Sequence, residues 1–340
     1  MDDIKTQKET TELTIEKIKS LAPHEMMNLP FMGFRFKFKP LDDLYLHRFA
    51  NSTLRSAFGF ALKKMCCKRR MADCTDDCDY RMSCGFGLCW QPLKSLPTSN
   101  GGEPSKGIIV RFPFKGDVYI KKSEPFEIEL VLIGYSISFL PSFRKALLYM
   151  ALEKGLGSMG RRVKIEPMEV APLIVNDEGN EVSSIREIFD ITYKEATFAF
   201  LRTLTPLALE EKGKTIEEIK FHHLVKYSLY IVNRLCATFA LSQNQDRYKE
   251  FKSFVLEHAE KVNTLWSDFT VVSDIYKRKN RAIKITGTYG NALYCGNITP
   301  FVPILKIAEV LQIGKDVSFG LGQIRVDSAD SSEIAKNLIN

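Results

Sequence analysis

The 340-residue sequence has no apolar run approaching the roughly 18–20 residues that a bilayer-spanning helix needs. It has no strong charge excess either: 48 Lys and Arg against 41 Asp and Glu leave a formal charge of +7. That balance permits a polyanionic partner without requiring one. The opening stretch "MDDIKTQKETTELTIEKIKS" is charged throughout and lacks the apolar core of a signal peptide, so a cytoplasmic protein is expected. Histidine is scarce, with five residues, which leaves few candidates for proton transfer near neutral pH. What the chain does have is 45% hydrophobic and 11% aromatic residues, enough to bury a core in each of the two domains its length suggests. Its eight cysteines, in a reducing compartment, read as thiols or metal ligands before disulfides.

Residues 1–30 read as a polar, partly helical extension. "FRFKFK" (34–39) then alternates apolar and basic residues, the period of a half-buried strand. "ANSTLRSAFGFALKKMCC" reads as a helix with Asn51, Ser52 or Thr53 as N-cap and basic residues in its last turns. A cysteine-rich segment and the loop "LPTSNGGEPSKG" follow, then two strands, "IIVRFPF" and "FEIELVLIGY". Phe139, Phe143, Leu147, Met150 and Ala151 lie at helical spacing, and that helix should stop at Gly155 before a glycine loop and a returning strand.

The order recurs in residues 281–326: strand character in "RAIKITGTYG" and "ALYCGNI", then a helix from "TPFVPILKIAEVLQ". That helix has Thr299 as N-cap and Pro300 in its first turn. The loop "IGKDVSFGLGQIRV" (313–326) comes next and runs into a last strand. Between the copies lie a strand, "YKEATFAFLRTL", a long helix, "FHHLVKYSLYIVNRLCATFALS", and a further helix at about 247–262. The expected fold is therefore α+β: two tandem ferredoxin-like (βαββαβ, RRM-like) domains with a cysteine-rich insertion in the first. The domains are expected at 31–175, with the insertion at about 66–105, and at 185–330, meeting near "VNDEGNEVSS".

The glycines of the last loop suggest a phosphate cradle. A nucleotide P-loop, however, requires G-x-x-x-x-G-K-[ST] between a strand and a following helix. Here Lys315 follows the first glycine, no Ser or Thr falls in register, and a strand comes next; a dinucleotide fingerprint fails for the same topological reason. Two readings stay open. Gly314, Gly320 and Gly322 form a helix C-cap and turn, or they let the backbone approach a nucleic acid. The first half has a partial twin in "GLGSMGRRVKI", with Arg161 and Arg162 where the second has Lys315.

"TLRSAFGFALKK" resembles the L-R-G-x-x-G helix of the repeat-associated mysterious protein (RAMP) superfamily, with Ser56 where glycine is common. "ITGTYGNALYCGNITPFVPILKIAEVLQIGKDVSFGLGQIRV" resembles the C-terminal signature of the CRISPR-associated precursor-crRNA-processing endoribonucleases of that superfamily. "FLRTLTPLAL" and "VNRLCATFA" sit where that family has a T-P strand end and an arginine-bearing helix, and the match covers most of 31–327. The resemblance implies binding of CRISPR repeat RNA and its metal-independent cleavage. A ribose 2′-OH would attack the adjacent phosphate, leaving a 2′,3′-cyclic phosphate and a 5′-OH, with no cofactor for catalysis. The protein must align the nucleophile, supply base and acid, and neutralise the phosphorane. The alternatives are a non-catalytic RAMP-type crRNA-binding subunit of an effector complex, or a zinc-stabilised regulator acting on another nucleic acid. A monomer or a homodimer is expected.

For catalysis His47, in "DDLYLHRFAN", lies where the family often places its histidine, with Tyr45 as helper and Lys63 or Arg55 as phosphate partner. The competing reading of His47 is a solvated loop residue. RNA contact is expected at "YKRKNRAIK", through Lys277, Arg278, Lys279, Arg281 and Lys284. Arg161, Arg162, Lys315 and the loop glycines Gly314, Gly320 and Gly322 would join them. The competing reading is a solvated turn. Six cysteines crowd residues 66–89, and in a reducing setting such density points to a structural zinc, which takes four thiolates and leaves no open position. The preferred ligands are Cys67, Cys74, Cys78 and Cys84, with Cys66 and Cys89 as alternates; an unliganded or disulfide-linked loop is the other reading.

Overall fold

The computed structural model describes residues 2–46, 50–69, 74–98, 103–112, 117–158, 161–176, 178–191, 195–239, 244–278 and 281–330. In the first half β1 (Phe31–Pro40) is followed by the short β2 (Leu44–Leu46), α3 (Ala50–Cys66), β3 (Ile108–Arg111) and β4 (Val118–Ile120). Then come β5 (Phe126–Ile133), α4 (Leu140–Tyr149), a hairpin of β6 (Leu156–Ser158) and β7 (Arg161–Val163), and β8 (Ile165–Pro172). The main strands form an antiparallel sheet in the order β3-β5-β1-β8. The second half has α5 (Ile185–Ile191), β9 (Phe198–Thr203), the small β10 (Glu210–Glu211) and β11 (Lys214–Thr215), α6 (Phe221–Phe239) and α7 (Gln245–Ala259). It continues with β12 (Asn263–Ser267), a hairpin of β13 (Thr270–Arg278) and β14 (Arg281–Tyr289), β15 (Asn291–Cys295), α8 (Val302–Leu311) and β16 (Ile324–Ala329). Its sheet runs β12-β15-β9-β16. Counting only sheet strands, both orders are 2-3-1-4 of a βαββαβ unit, so the tandem ferredoxin-like architecture is the observed fold.

Strand β5 shows how the halves join. Ile128, Leu130 and Leu132 point into the first core, beside Phe58 of α3 and Phe143 of α4. Val131 and Ile133, on the other face, belong to the second core with Leu201, Leu229 and Ile304. Successive side chains of a strand face opposite sides, so burying both faces requires the continuous run "LVLI" and not a simple alternation. Each such residue contributes about 1.5–3 kcal/mol through burial.

The N-terminal segment is more than a polar extension. Helix α1 (Asp2–Leu21) packs on α7, and α2 (His24–Met27) packs on α6. Ile18, Met26, Met27 and Leu29 are buried in the second core. The widely spaced apolar residues of an otherwise charged stretch mark the one stripe that packs.

Two expected caps do other work. Helix α3 already includes Asn51, whose carboxamide accepts from the Phe112 amide at 2.7 Å and holds the chain beyond β3. Thr299 lies in a 3-10 turn ahead of α8, and its hydroxyl accepts from the Ala196 amide at 3.0 Å. The "RAIKITGTYG" strand is the second arm of a hairpin outside the four-stranded sheet, closed against β13 from Thr270↔Tyr289 to Arg278↔Arg281. No helix among the described residues is long and apolar enough to cross a membrane.

Candidate functional site

Tyr45 is the middle residue of β2, pairs with Tyr119 of β4, and is 52% exposed because β2 alternates buried Leu44 and Leu46 around it. The Tyr119 hydroxyl donates to Asp43 Oδ2 at 2.6 Å. That bond holds the Asp43 carboxyl below its usual range, helped by a backbone bond from Lys122, and pushes the Tyr119 phenol up. Arg161, at the start of β7, is 3.8 Å from Asp42 and bears electrostatically on both Asp43 and Tyr119. β2 also packs on β6, so the hairpin carrying Arg161 and the exposed Arg162 borders the Tyr45 surface. His47 lies outside the described residues.

Arg55 is on α3 with 6% exposure, its guanidinium 4.7 Å from the centre of the Trp90 ring. Burial pushes it down to about 10. Lys63, two turns further on, has its amine 5.4 Å from the Phe86 ring. The structure therefore groups Arg55 and Lys63 with the rings of the cysteine-rich segment, and groups Tyr45 with Tyr119 and Arg161. Trp90 carries no spacing signal in the sequence; only its being a tryptophan among cysteines could have marked it.

The glycine-rich loop lies on the segment after β9. Gly322 N donates to the Pro206 carbonyl at 3.0 Å, Lys315 N to Ala208 at 2.9 Å and Ile313 N to Gly322 at 3.0 Å. The same segment holds the β13–β14 hairpin by reciprocal bonds between Leu207 and Thr288. Gly314, Gly320 and Gly322 are buried, with φ of 96°, 90° and 83°. A β-carbon on Gly320 would meet Asn51 Cβ at 2.1 Å, and one on Gly322 would meet the Ile313 carbonyl at 2.1 Å. These glycines thus serve close packing, against α3 of the first half and within the loop itself. Lys315 is exposed and paired with Glu210.

Of the basic stretch, Lys284 is exposed on β14 opposite Ile275. Lys277, Arg278 and Arg281 lie at the hairpin's tip end, and Lys279 lies outside the described residues.

In the cysteine-rich segment the organising side chain is Arg81, which is buried. It donates to Cys74 Sγ at 2.9 Å, to the Thr75 carbonyl at 3.1 Å and to the Gln91 carbonyl, and it is 3.3 Å from Asp76. Cys84 Sγ accepts from the Gly87 amide at 3.4 Å. Burial pushes the Cys66 and Cys74 thiols up and Cys89 up to about 12. Among the described residues no three His, Cys, Asp or Glu side chains converge as metal ligands. Cys67, Cys74, Cys78 and Cys84 are therefore not grouped as a ligand set among the described residues.

Residues 29–190 match the family model of the AF_1859 N-terminal domain, and residues 201–324 match that of the CRISPR-associated endoribonuclease Cas6. The Cas6 family model thus covers the second ferredoxin-like unit. Thermus thermophilus Cas6 is 11% identical, with a TM-score of 0.51 over 88% of this chain and 99% of that one. A Cas6 product complex gives 13%, 0.52, 88% and 100%. A partial Cas6-RT-Cas1–Cas2 complex is 9% identical with a TM-score of 0.53, over 89% of this chain and 46% of the other. At such identities the likeness concerns the fold. No curated protein matches the chain. The family matched by residues 201–324 is one of CRISPR-associated endoribonucleases.

Proposed function

We propose that the protein binds CRISPR repeat RNA and cleaves precursor crRNA without a metal ion, at the surface carrying Tyr45. A ribose 2′-OH attacks the adjacent phosphorus and its proton passes to a base. The P–O5′ bond breaks, the 5′ oxygen takes a proton from an acid, and the products are a 2′,3′-cyclic phosphate and a 5′-OH. The observation carrying this reading is the exposed Tyr45, two residues before His47, beside Tyr119 and the cation Arg161. His47 serves as the proton-transfer group, since imidazole titrates near neutral pH. Tyr45 orients the nucleophile or the leaving oxygen, and Arg161 bears on the phosphorane charge. Lys284 and the other basic residues of the β13–β14 hairpin, with Arg162, hold the backbone through charge.

The test is incubation of the pure protein with labelled repeat RNA in EDTA, with folding checked in parallel. A cyclic-phosphate end is expected, and His47→Ala should abolish product while leaving binding nearly intact. Unchanged cleavage by that variant removes His47 from the site. Tight binding without product from the parent protein would instead mark a non-catalytic crRNA-binding subunit.

A structural zinc on Cys67, Cys74, Cys78 and Cys84 is a separate proposal, resting on the density of thiols alone. Metal analysis after gel filtration should find about one zinc per chain, and a value well below that defeats it.

A further inference from the structure

Three arginines are buried among the described residues, and two of them face a carboxylate. Arg111 is held by Glu129 and the Val310 carbonyl, and Arg81 by Cys74, Thr75, Gln91 and Asp76. Arg55 is the exception. At 6% exposure it has the Trp90 ring against it, and neither an anion nor a hydrogen-bond acceptor meets it among the described residues. A guanidinium carries five donors and a fixed charge. Burying that charge without a counter-ion is costly, so a chain that keeps such a group gains something else from it.

Arg55 stands where two pockets adjoin, and their linings differ in sign. One contains the carboxylates Glu103 and Asp316. The other contains none: Ser52, Ser56 and Lys63 from the same face of α3 look across Arg55 to Gln91 and Lys106. Every polar side chain there can donate. Its back wall is Trp90, which closes on the helix because residue 59 is glycine; a β-carbon there would meet the indole nitrogen at 2.8 Å. Lys106 approaches the same ring at 5.8 Å. The cysteine-rich segment thus supplies one wall and α3 the other.

We propose that this pocket is an anion-recognition site, separate from the Tyr45 surface, in which Arg55, with Lys63 and Lys106, takes a phosphate group of a nucleotide. The nucleotide is either one unit of a bound RNA or a free mononucleotide. Only the RNA source rests on the function proposed above. A planar guanidinium bonds two phosphate oxygens at once, the two lysines add charge at the rim, and Ser52 and Ser56 supply neutral donors.

Trp90 is a built-in reporter. The chain has two tryptophans, and the other, Trp266, is half-exposed on β12 of the second sheet. In a full-length Trp266→Phe background, Trp90 fluorescence is titrated at constant ionic strength with inorganic phosphate, adenosine 5′-monophosphate and, as an uncharged control, adenosine. Phosphate and the monophosphate should give a saturable change and adenosine none. Arg55→Met should weaken both by about tenfold or more, as for the removal of hydrogen bonds to a charged group, while melting no lower than its parent. If a short RNA oligonucleotide displaces phosphate, the source is an RNA chain; if it does not, the source is a free nucleotide.

Absence of a saturable response to both phosphate and the monophosphate overturns the proposal, as does unchanged affinity in a folded Arg55→Met. Should that variant fail to fold, Lys106→Gln takes its place, and unaltered phosphate affinity there overturns the site equally. The phosphate arm needs no RNA cleavage, so its failure and that of the nuclease reading are told apart.

Discussion

Glu129 Oε2 accepts from Arg111 Nε at 2.7 Å, both side chains being almost fully buried between the two ferredoxin-like units. Arg111 goes on to donate to the Val310 carbonyl, at the end of α8 in the second unit, at 3.1 Å. Arg35, on neighbouring β1, and Arg325, on β16 of the second sheet, each lie 3.7 Å from the other Glu129 oxygen. One carboxylate therefore serves cations from both sheets and ties the units together by charge as well as by the shared apolar face of β5.

Removing that charge strands the buried Arg111 guanidinium. Glu129→Gln is expected to destabilise the protein by about 3–5 kcal/mol, the range for breaking a buried pair from one side. Denaturant melts check this. A loss below about 1 kcal/mol, the range of exposed pairs, would mean that the arginines find other acceptors.

Acid should weaken the fold in two stages. Burial pushes the His223 imidazole down to about 4, with the neighbouring His222 adding to it, and Nδ1 accepts from the Lys220 amide at 3.1 Å. The unfolded chain then binds that proton first, so this stability is present above about 6.5 and is lost as pH falls toward 4. For Glu129 burial acts upward, but Arg111, Arg325 and Arg35 outweigh it and hold the carboxyl below its usual 4.5. Its contribution is present above that value and is lost only as pH falls further. Stability measured at pH 7.5, 5.5 and 4 should decline already by 5.5, and His223→Gln should flatten that first decline. An unchanged profile in the variant assigns the decline to another group.

The loop glycines are predicted to differ from an exposed turn glycine. Gly320→Ala places a β-carbon against Asn51 as well as straining φ, whereas Gly213→Ala, at φ 77°, meets nothing within 4 Å. Gly213→Ala should cost about 1 kcal/mol, the strain of the left-handed backbone. Gly320→Ala should cost clearly more and also disturb Asn51 and its bond to Phe112. Thermal melts of the pair give the comparison, and equal losses would show that the loop shifts freely off α3.

For RNA affinity, Arg161→Ala, Arg162→Ala and Lys284→Ala should each weaken binding nearly uniformly across repeat sequences. Removing one cation from the phosphate backbone should also reduce the salt slope by about one. Fluorescence anisotropy over a salt series measures both. A variant that changes affinity without changing the slope contacts a base or acts through folding.

Much of this molecule is written in local pattern. The alternation of "FRFKFK", the helical spacing from Phe139 to Ala151 and the repeated helix, glycine and strand order specify two βαββαβ units, because side-chain periodicity follows directly from backbone geometry. Tyr45 is legible as a candidate through its nearness in sequence to His47, and the basic hairpin through its composition. Local pattern could not reveal what depends on distant segments meeting. Gly320 had two readings until Asn51, far away in the chain, was found against it. Arg55 looked like a partner of Tyr45, yet the turn of α3 carries its side chain to Trp90, and only the packed structure shows that no carboxylate follows it there. Glu129 alternates in β5 as an outward polar residue would, and it became a buried hub because a second sheet covers that face. The sequence by itself determined the strands, the helices and their order. Which faces were sealed, which charges were matched and which one was left open were decided by tertiary packing, since burial and pairing are properties of contacts between segments that no single stretch contains.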